Sequence, residues 1–380
     1  MKLRYNERVY PTSGQQLMLA RTFGCARVVY NDGLRLRNEA YKRGEPFITD
    51  AQLQKLIITA GKKTTERAWL KEVSSVALVQ SLGDLHAAYR NFFAWRRGDR
   101  KGPRMNPPKL KKKTGRQSAR FTRNGFILRE DGTLFIAKVG NIKVAWSRPL
   151  PSEPSSVTII KDPAGRYFAS FVVETDDKRL PELDWEETDT GIDLGLSPYA
   201  VLRGRKIASP KFFRRQEKKL RRAQRTLSRR AKGSNNRRKA KLAVAKIHAR
   251  IADQRRDFIE QETARIARES QAVYLEDLNV KGMAKCFGKS LHDQSLGMFA
   301  RTLEAKCARY GRTFVKVDRF FPSTQLCSAC GALTGPKGKA GLKIRTWRCD
   351  CGAVHDRDGN AEINLRAEGR RILAEGRAER

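Results

Sequence analysis

Three acidic residues lie where an ionised carboxylate is costly unless something binds it. Asp193 stands inside the apolar run GIDLG, Glu276 ends the apolar run AVYLE, and Asp358 begins the last predicted helix, in HDRDGNAEIN. Burying an unpaired carboxylate carries a large desolvation penalty. A strand-interior Asp, a strand-end Glu and a helix-borne Asp can converge on one point of a ribonuclease-H-like sheet. Acid clusters of this kind bind Mg²⁺, and two such ions roughly 3.5–4 Å apart can promote phosphodiester hydrolysis.

Each of these acids also has a purely structural explanation. Asp193 could be a turn residue beside two nearby glycines, and Glu276 could pair with a local arginine. Asp358 could cap its helix, with Glu362 as the partner acid of a capping motif. Asp356, two residues before Asp358, could be the metal ligand in its place. Residue types and spacing alone leave these alternatives open.

Four of the seven cysteines fall within one short segment, at Cys327, Cys330, Cys349 and Cys351. In a cytoplasmic protein such clustering favours a metal site over disulfides, and four thiolates are typical of a structural zinc site. The second pair has one intervening residue where two are usual, so His355 could replace one thiolate. Four unligated thiols are the structural alternative. A zinc ion bound by four protein ligands has no open ligand position, so we expect it to support folding and the placement of this segment, not catalysis.

The chain of 380 residues carries a net charge of +39, from 79 Lys and Arg against 40 Asp and Glu. A basic excess spread along a whole chain predicts a polyanionic partner, and nucleic acid fits best. A membrane surface fits less well, because the basic residues are not gathered into one amphipathic segment. No apolar run approaches the roughly 20 residues of a membrane span, and no signal peptide opens the chain. We therefore expect a prokaryotic cytoplasmic protein that associates with the nucleoid.

The elements of the front half are predicted from hydrophobic periodicity. Residues 3–12 alternate like a strand, and residues 15–44 and 76–98 have apolar residues at helical spacing. A loop rich in Pro, Gly and Lys follows the second helix. From about 119 to 175, turn residues separate short strands, which predicts a small antiparallel barrel or sandwich.

The back half begins after an acidic linker, 175–187, which we interpret as a domain boundary. Residues around Asp193 predict a strand, a turn and a second strand, and residues 211–268 predict two long helices. The first of these helices is basic around nearly its whole circumference, so we expect it to gain little from packing and to lie against an anionic partner. A final helix is predicted from about 358 to 373. Strands alternating with helices suggest an α/β nuclease domain joined to an α+β front half.

These motifs together resemble the TnpB family, the transposon-encoded relatives of compact type V CRISPR nucleases. The matching segments run nearly end to end in family order: YPTSGQQLMLARTFGCARVVYN, ALVQSLGDLHAAYRNFF, GIDLGLSPYAVL, LEDLNVKGM, FPSTQLCSACG and HDRDGNAEIN. The last four are specific when they occur together and in this order. The chain departs from the family pattern in the short spacing between Cys349 and Cys351, which concerns the zinc geometry and not the nuclease assignment.

The resemblance implies an α/β, RNase H-like (RuvC) nuclease domain with a zinc-ribbon insertion, preceded by an antiparallel β-barrel with a helical insertion. In residue numbers, it implies a β-barrel domain at 1–10 and 116–180, a helical recognition domain at 11–115, the RuvC-like domain at 185–322 and 353–373, a zinc-ribbon segment for target nucleic acid at 323–352, and a tail at 374–380.

The same resemblance places the catalytic acids at Asp193, Glu276 and Asp358, and so favours Asp358 over Asp356. It implies an RNA-guided DNA endonuclease that carries a guide RNA from its own transposon end. Such an enzyme recognises a short motif beside its double-stranded DNA target and cuts both strands. We expect Asp193 to bridge two Mg²⁺ ions, with the other two acids holding one each. Gln80, a polar residue on a front-half helix, is a candidate for contacting the flanking motif, and a solvent-facing Gln is the structural alternative.

Four other functions fit part of the pattern. A guided DNA-binding protein without cleavage would have lost one or more of the acids, and all three stand in their motifs here. A transposase could use the same acid chemistry to join DNA ends. A structural RNA-binding protein would have the charge but no need for an Asp inside an apolar strand. A CRISPR-associated effector differs in its genomic surroundings, which lie outside the sequence.

Overall fold

The computed structural model describes residues 1–176, 179–341 and 343–378. The chain divides into two compact units, Met1–Asp176 and Asp177–Arg380. The division falls inside the acidic segment 175–187. Within the described residues, no helix is both long enough and apolar enough to cross a bilayer.

The first unit combines an antiparallel sheet with helices that lie between its first and second strands. Its elements are β1 (Lys2–Tyr10), α1 (Ser13–Lys42), α2 (Asp50–Leu53), a π-helical stretch (Gln54–Ala60), two 3₁₀ turns (Gly61–Lys63 and Ala68–Glu72), α3 (Ser75–Arg96), β2 (Gln117–Thr122), a 3₁₀ turn (Arg123–Gly125), β3 (Phe126–Leu128), β4 (Leu134–Ile136), β5 (Gly140–Ala145), β6 (Ser156–Lys161) and β7 (Tyr167–Glu174). The predicted first strand, both predicted helices and the antiparallel strand region are confirmed.

The sheet of the first unit is a curled, antiparallel half-barrel in the order β2-β6-β7-β1-β5-β4-β3. β1 lies at its centre, and its alternating residues Tyr5, Glu7 and Val9 face the core. Glu7 is only 3% exposed, and it accepts hydrogen bonds from the Ser147 backbone N–H (3.0 Å) and hydroxyl (2.9 Å). A buried carboxylate needs such partners, so this pair ties the end of β5 to the middle of the sheet.

The long helices α1 and α3 pack against each other through an apolar stripe. Thr12 caps α1 by a capping box, in which the Gln15 N–H donates to the Thr12 hydroxyl (3.4 Å) and the Thr12 N–H donates to the Gln15 side chain (2.9 Å). A Cβ on Gly33 would lie 2.9 Å from Cδ2 of Leu82, so this glycine permits the close approach of the two helices. The buried face of α3 is formed by Leu78, Leu82 and Leu85.

The second unit alternates strands with helices. Its elements are α4 (Trp185–Thr188), β8 (Thr190–Leu194), β9 (Ala200–Leu202), β10 (Arg205–Ile207), α5 (Phe212–Ser228), α6 (Asn235–Glu269), β11 (Ala272–Glu276), α7 (Val280–Gln294), α8 (Leu296–Tyr310), β12 (Thr313–Val317), α9 (Gly338–Gly341), β13 (Thr346–Arg348), β14 (Val354–Asp356) and α10 (Arg357–Ala378).

The main sheet of this unit has the order β10-β9-β8-β11-β12. β8, β11 and β12 are parallel, whereas β9 and β10 are antiparallel additions at one edge. Val273 and Leu275 of β11 join the core on one face of the sheet, and Ala272 and Tyr274 join the core on the other face. Because both faces are covered, β11 is a continuous apolar run that ends at Glu276.

The two predicted long helices form a hairpin, α5 followed by α6, but one sequence prediction about α5 is wrong. We expected α5 to gain little from packing because it is basic around most of its circumference. Leu220 of α5 is only 4% exposed and packs with Ile247 and Ile251 of α6. The apolar stripe is narrow, and arginines and lysines cover the rest of the helix.

Several features of the second unit differ from the sequence prediction. α7 lies between β11 and α8 and bends at Gly288, where the backbone leaves helical geometry. The predicted second strand is a pair of short strands, β9 and β10, and the cysteine segment contains the hairpin β13–β14. α10 continues to Ala378, beyond the predicted end at 373.

The last helix, α10, packs on the sheet at unusually short range. A Cβ added to Gly369 would lie 2.1 Å from Cδ1 and 2.3 Å from Cγ of Tyr274, a ring that is fully buried. Gly191 of β8 is equally confined, because its Cβ would lie 2.2 Å from the Glu362 carbonyl oxygen. These two glycines allow the helix and the sheet to approach so closely.

We predict that Gly369→Ala lowers the free energy of unfolding by about 3 kcal/mol, the upper end of the cost of overpacking a core. Gly376→Ala in the same helix is the matched control, because nothing lies within 4 Å of its Cβ position. There, alanine should stabilise the helix by up to about 1 kcal/mol. Urea unfolding of the two variants measures the difference, and equal midpoints would refute the packing argument.

Candidate active site

Asp193 and Glu276 lie beside each other on neighbouring parallel strands. In the register between β8 and β11, Ile192 pairs with Leu275, so the next residues of the two strands also lie at the same level. Ile192 and Leu275 belong to the core on one face of the sheet. Because strand side chains alternate between faces, Asp193 and Glu276 both point to the opposite face, where α10 packs.

The helix α10 brings Asp358 to the same place. Residues of α10 bind β8, the strand that carries Asp193, and the residue just before it. Arg370 binds Asp189 through two hydrogen bonds of 2.6 and 3.0 Å, and the Gly191 N–H donates to the Glu362 carboxylate at 3.1 Å. One helical turn before Glu362 is Asp358, whose charge acts on Asp193.

Burial and neighbouring negative charge both act on Asp193 and Glu276. Burial, and then the negative charge of Asp358, raises the pKa of Asp193 to about 7. Burial, and then the charges of Asp193 and Asp277, raises the pKa of Glu276 to about 7. Like charges near one another disfavour ionisation. A cation bound between these carboxylates would therefore stabilise their ionised forms.

Two arginines supply positive charge to this group. The Arg345 guanidinium donates to Oδ2 of Asp358 at 2.8 Å and to the Ser197 carbonyl at 3.1 Å. Arg357 donates to Oδ1 of Asp358 at 2.8 and 3.1 Å. Sequence analysis did not predict this contact, because Arg345 lies 13 residues before Asp358 and outside the motif that contains this acid.

The three candidates for the third acid, Asp356, Asp358 and Glu362, differ in their contacts and exposure. Asp356 is the N-cap of α10, since its Oδ1 accepts the Gly359 N–H at 2.8 Å and its Oδ2 pairs with Lys206 at 3.0 Å. Its side chain is 48% exposed, against 8% for Asp358. Glu362 is buried and bound to the backbone of β8. Of these three acids, Asp358 is the one whose charge raises the pKa of Asp193.

The residues present fit Mg²⁺. All three candidate ligands are carboxylates, the oxygen donors that Mg²⁺ prefers, and two of them have pKa values raised by burial and mutual repulsion. Divalent cations relieve that repulsion directly. In this structure, Arg345 and Arg357 supply positive charge to Asp358 through their ion pairs.

The four clustered cysteines converge despite the short second spacing. Their sulfur atoms all lie within 4.8 Å of one another. The Sγ–Sγ distances are 3.8 Å for Cys327–Cys351 and 3.6 Å for Cys330–Cys349. A tetrahedral zinc site with Zn–S bonds of about 2.3 Å would hold its sulfurs about 3.8 Å apart, and a disulfide would need about 2.05 Å. The cluster therefore fits zinc and not disulfides.

His355 lies next to the cluster. Its Nε2 is 3.0 Å from Sγ of Cys327, and its ring packs on Trp347 with centroids 4.7 Å apart. The Thr334 hydroxyl donates to Sγ of Cys349 at 3.1 Å, and that bond is the main cause that lowers the pKa of this thiol to about 6. A thiolate is the form that binds a metal.

The first unit carries a separate cationic pocket of about 420 Å³. It is lined by Arg4, Asp84, Lys111, Arg116 and Arg120, among others. Burial lowers the pKa of Lys111, whose ammonium lies 3.9 Å from the Tyr30 ring centroid. Gln80 lies on α3 beside Ser81, a residue of this pocket, and is partly exposed. Sequence analysis predicted the basic loop but not its pocket.

Comparison with known proteins decides the family. The chain is 43% identical, over 97% of its length and 90% of the relative's, to a Streptomyces pristinaespiralis protein named "Putative RNA-guided DNA endonuclease". It is 28% identical, over 97% of its length and 90% of the relative's, to the Escherichia coli K12 protein named "Putative RNA-guided DNA endonuclease InsQ". The chain belongs to the TnpB family.

Three family models match parts of this TnpB-family chain. One described as "Probable transposase" matches residues 170–286, which hold Asp193 and Glu276. One described as "Cas12f1-like, TNB domain" matches residues 297–365, which hold Asp358 and the cysteine cluster. One described as "Helix-turn-helix domain" matches residues 1–46.

The fold is Cas12f1-like. A solved structure described as "Cryo-EM structure of the Cas12f1-sgRNA-target DNA complex" superposes with a TM-score of 0.57, at 13% sequence identity, over 92% of this chain and 82% of that one. At this identity the likeness concerns the fold alone. The TnpB-family chain therefore combines mixed α/β structure with a curled antiparallel half-barrel, as the sequence resemblance implied.

We predict that Asp193→Asn stabilises the metal-free protein at pH 8, by at least about 2 °C in Tm. A carboxyl whose folded-state pKa is raised from 3.8 to about 7 favours folding when protonated. Stability is therefore lost as pH rises from about 4 to about 7, and the neutral amide avoids that loss. The gap to wild type should shrink as pH falls below about 7.

Thermal unfolding in EDTA between pH 5 and pH 8 measures this gap. Asp257→Asn, on an exposed position of α6, is the control and should show the same small change at every pH. A constant difference for Asp193→Asn across the range would contradict the proposed burial and repulsion. Added Mg²⁺ should reverse the order, because only the wild-type carboxylate can hold it.

Proposed function

We propose that this chain is an RNA-guided DNA endonuclease that hydrolyses both strands of DNA at a RuvC-like site built on Asp193, Glu276 and Asp358. The observation that carries the proposal is the register that sets Glu276 beside Asp193 on neighbouring strands, with the charge of Asp358 on α10 acting on Asp193. Family membership supports the reaction class, since both relatives named above are described as RNA-guided DNA endonucleases.

The sheet supports a RuvC-like assignment of the second unit. Three strands in antiparallel succession, β10, β9 and β8, are continued by two strands parallel to β8, as in ribonuclease-H-like sheets. The cysteine cluster and its β13–β14 hairpin interrupt this unit between β12 and α10. We assign the segment 323–352 as a zinc ribbon that handles target nucleic acid, with Cys327, Cys330, Cys349 and Cys351 as the zinc ligands.

In the mechanism, Asp193 would hold two Mg²⁺ ions, with Glu276 and Asp358 holding one each. Bound Mg²⁺ supplies an activated water and neutralises charge on the phosphate and the leaving oxygen. Arg345 reaches Asp358 from a position that leaves its side chain 51% exposed, so its guanidinium can also bind the scissile phosphate. Hydrolysis of this type leaves a 5′-phosphate and a 3′-hydroxyl.

The remaining parts of the chain are assigned by charge and position. The basic faces of α5 and α6 suit the phosphate backbone of a guide RNA, here one derived from the transposon end. The half-barrel (1–10 and 116–180) and the helical domain (11–115) would hold the DNA beside the target, with the cationic pocket of the first unit on its phosphates. RNA–DNA pairing then supplies sequence specificity. A protein with this function would act in the prokaryotic cytoplasm, associated with the nucleoid.

The test begins with protein co-expressed with its native locus and purified with the RNA that it retains. That RNA is sequenced and used to direct cleavage of a plasmid library, with a matching target beside randomised flanking bases, in Mg²⁺. Linear product that depends on the guide and on one flanking motif is the expected result. Target binding without cutting would make the chain a guided DNA-binding protein. The absence of a discrete RNA, with strand transfer of a labelled donor end, would make it a transposase.

A further inference from the structure

The turn after β12 holds an aromatic side chain out in solvent. Phe320 is 85% exposed. Its N–H donates to Oδ1 of Asp318 at 2.8 Å, and the Phe321 N–H donates to the Asp318 carbonyl at 3.1 Å. The carbonyl of Ser323 then accepts from Asn364 of α10 at 2.8 Å. The turn is thus bonded internally and anchored to the helix that carries Asp358.

The two adjacent phenylalanines of this turn have opposite environments. Phe321 packs in the core with Tyr274 and Leu365, so the local backbone could not bury Phe320 without exposing its neighbour. Single exposed apolar residues are common on protein surfaces, and exposure alone would indicate nothing. Here the backbone that presents Phe320 is hydrogen-bonded to α10, the helix that carries Asp358 of the proposed active site.

A cavity of about 550 Å³ opens beside this turn. Glu276 and Arg319, the residue before Phe320, both line it, and the Arg319 guanidinium pairs with Asp277. Its other charged wall residues are Arg301, Glu304 and Lys316, so three acids balance three cations. Leucines, a valine and a methionine form most of the rest of the wall.

The apolar wall and balanced charges of this cavity fit an uncharged, flat group, such as a nucleobase, that is attached to a charged phosphate backbone. The balanced charges and apolar wall of the cavity do not select a phosphate. Glu276, at its edge, is one of the three acids proposed to hold the metal, and the phosphate would bind there. An exposed aromatic ring beside such a site is what stacks a nucleobase of single-stranded nucleic acid. The volume lies within the roughly 300–1,000 Å³ of small-ligand pockets.

We propose that Phe320 stacks on a nucleobase of the DNA strand being cut, next to the scissile phosphate. This base has left the stack of its neighbouring bases, and the cavity beside Glu276 accepts it. This inference rests on the proposed function and names how its active site holds a single strand. Stacking is indifferent to base identity, as a guide-directed nuclease requires, because every base offers a π-face.

The test uses guided cleavage by the full-length complex on substrates with one abasic position moved stepwise along the cut strand. For wild type, an abasic position beside the cut should slow cleavage by about 5- to 150-fold, the range that loss of one base–aromatic stack implies. Phe320→Leu should slow cleavage of the intact strand by a similar factor and be insensitive to that abasic position. Phe320→Trp should restore both the rate and the sensitivity.

Tyr41→Leu is the control, since Tyr41 is equally exposed, at 86%, in the first unit; it should leave the abasic profile unchanged. If Phe320→Leu retains the wild-type rate, or keeps the wild-type sensitivity to the abasic position, the stacking role is wrong while the nuclease stands. If wild type shows no guided cleavage at all, the proposed function fails, and this inference fails with it.

Discussion

Asp193→Ala is expected to lower guided DNA cleavage by at least about 10³-fold, because a metal-bound site supplies several kcal/mol of transition-state stabilisation. Asp193 interacts with both of the other acids: Glu276 lies beside it across the strand pair, and the charge of Asp358 acts on it. Guide RNA retention and target binding should persist, since phosphate contacts elsewhere in this basic chain provide them. Single-turnover cleavage rates and gel-shift affinities measure the two effects separately.

A matched pair on α10 tests the third acid. Asp358→Ala should lose cleavage to a similar degree, whereas Asp356→Ala should keep it. Asp356 caps the helix, so its loss should cost about 1 kcal/mol of stability. If Asp356→Ala were the inactive variant, or if Asp193→Ala still cut DNA, the assignment of the site would be wrong.

The second large effect is expected from the cysteine cluster. Cys349→Ser should eliminate bound zinc, from about one ion per chain to none, and abolish cleavage. Structural zinc contributes roughly 10–16 kcal/mol of apparent binding free energy in zinc-finger peptides. The cluster also shapes the approach to α10, since Asn360 donates to the Leu326 carbonyl at 2.7 Å, beside Cys327. Losing the metal would therefore loosen the start of the helix that holds Asp358.

Metal content by elemental mass spectrometry, measured beside cleavage, tests this prediction. Cys307→Ala is the control, because Cys307 is a buried thiol in the apolar core of the second unit. It should keep the zinc and most of the activity. His355→Ala decides between the two ligand sets: retained zinc means four thiolates, and lost zinc means that the imidazole replaces one of them.

Much of the fold follows from local pattern. The apolar runs around Asp193 and Glu276 predicted strands, and the spacing of apolar residues predicted α1, α3 and the α5–α6 hairpin, because periodicity is set by which face of an element is buried. Short elements were missed, or merged into one predicted strand, for the same reason. β9, β10 and β13 have three residues each, too few to show a period, and they exist through pairing with distant partners.

The error about α5 has a similar cause. The many basic residues of α5 predict a helix that is polar on every side, yet Leu220 and its neighbours form a narrow apolar stripe that packs on α6. Charge density does not prevent packing when long basic side chains extend away from a narrow apolar seam. Only the partner helix shows that the seam is used.

What the sequence by itself determined is the family, the elements that carry the three acids, the four thiols and the polyanionic partner, because these depend on residue type and local order. What only the tertiary structure decided is proximity. Strand register placed Glu276 beside Asp193. Asp356 caps α10, whereas the charge of Asp358 acts on Asp193. Arg345, from the cysteine segment, binds Asp358. Contacts between residues far apart in the chain are made by packing and pairing, which no local pattern encodes.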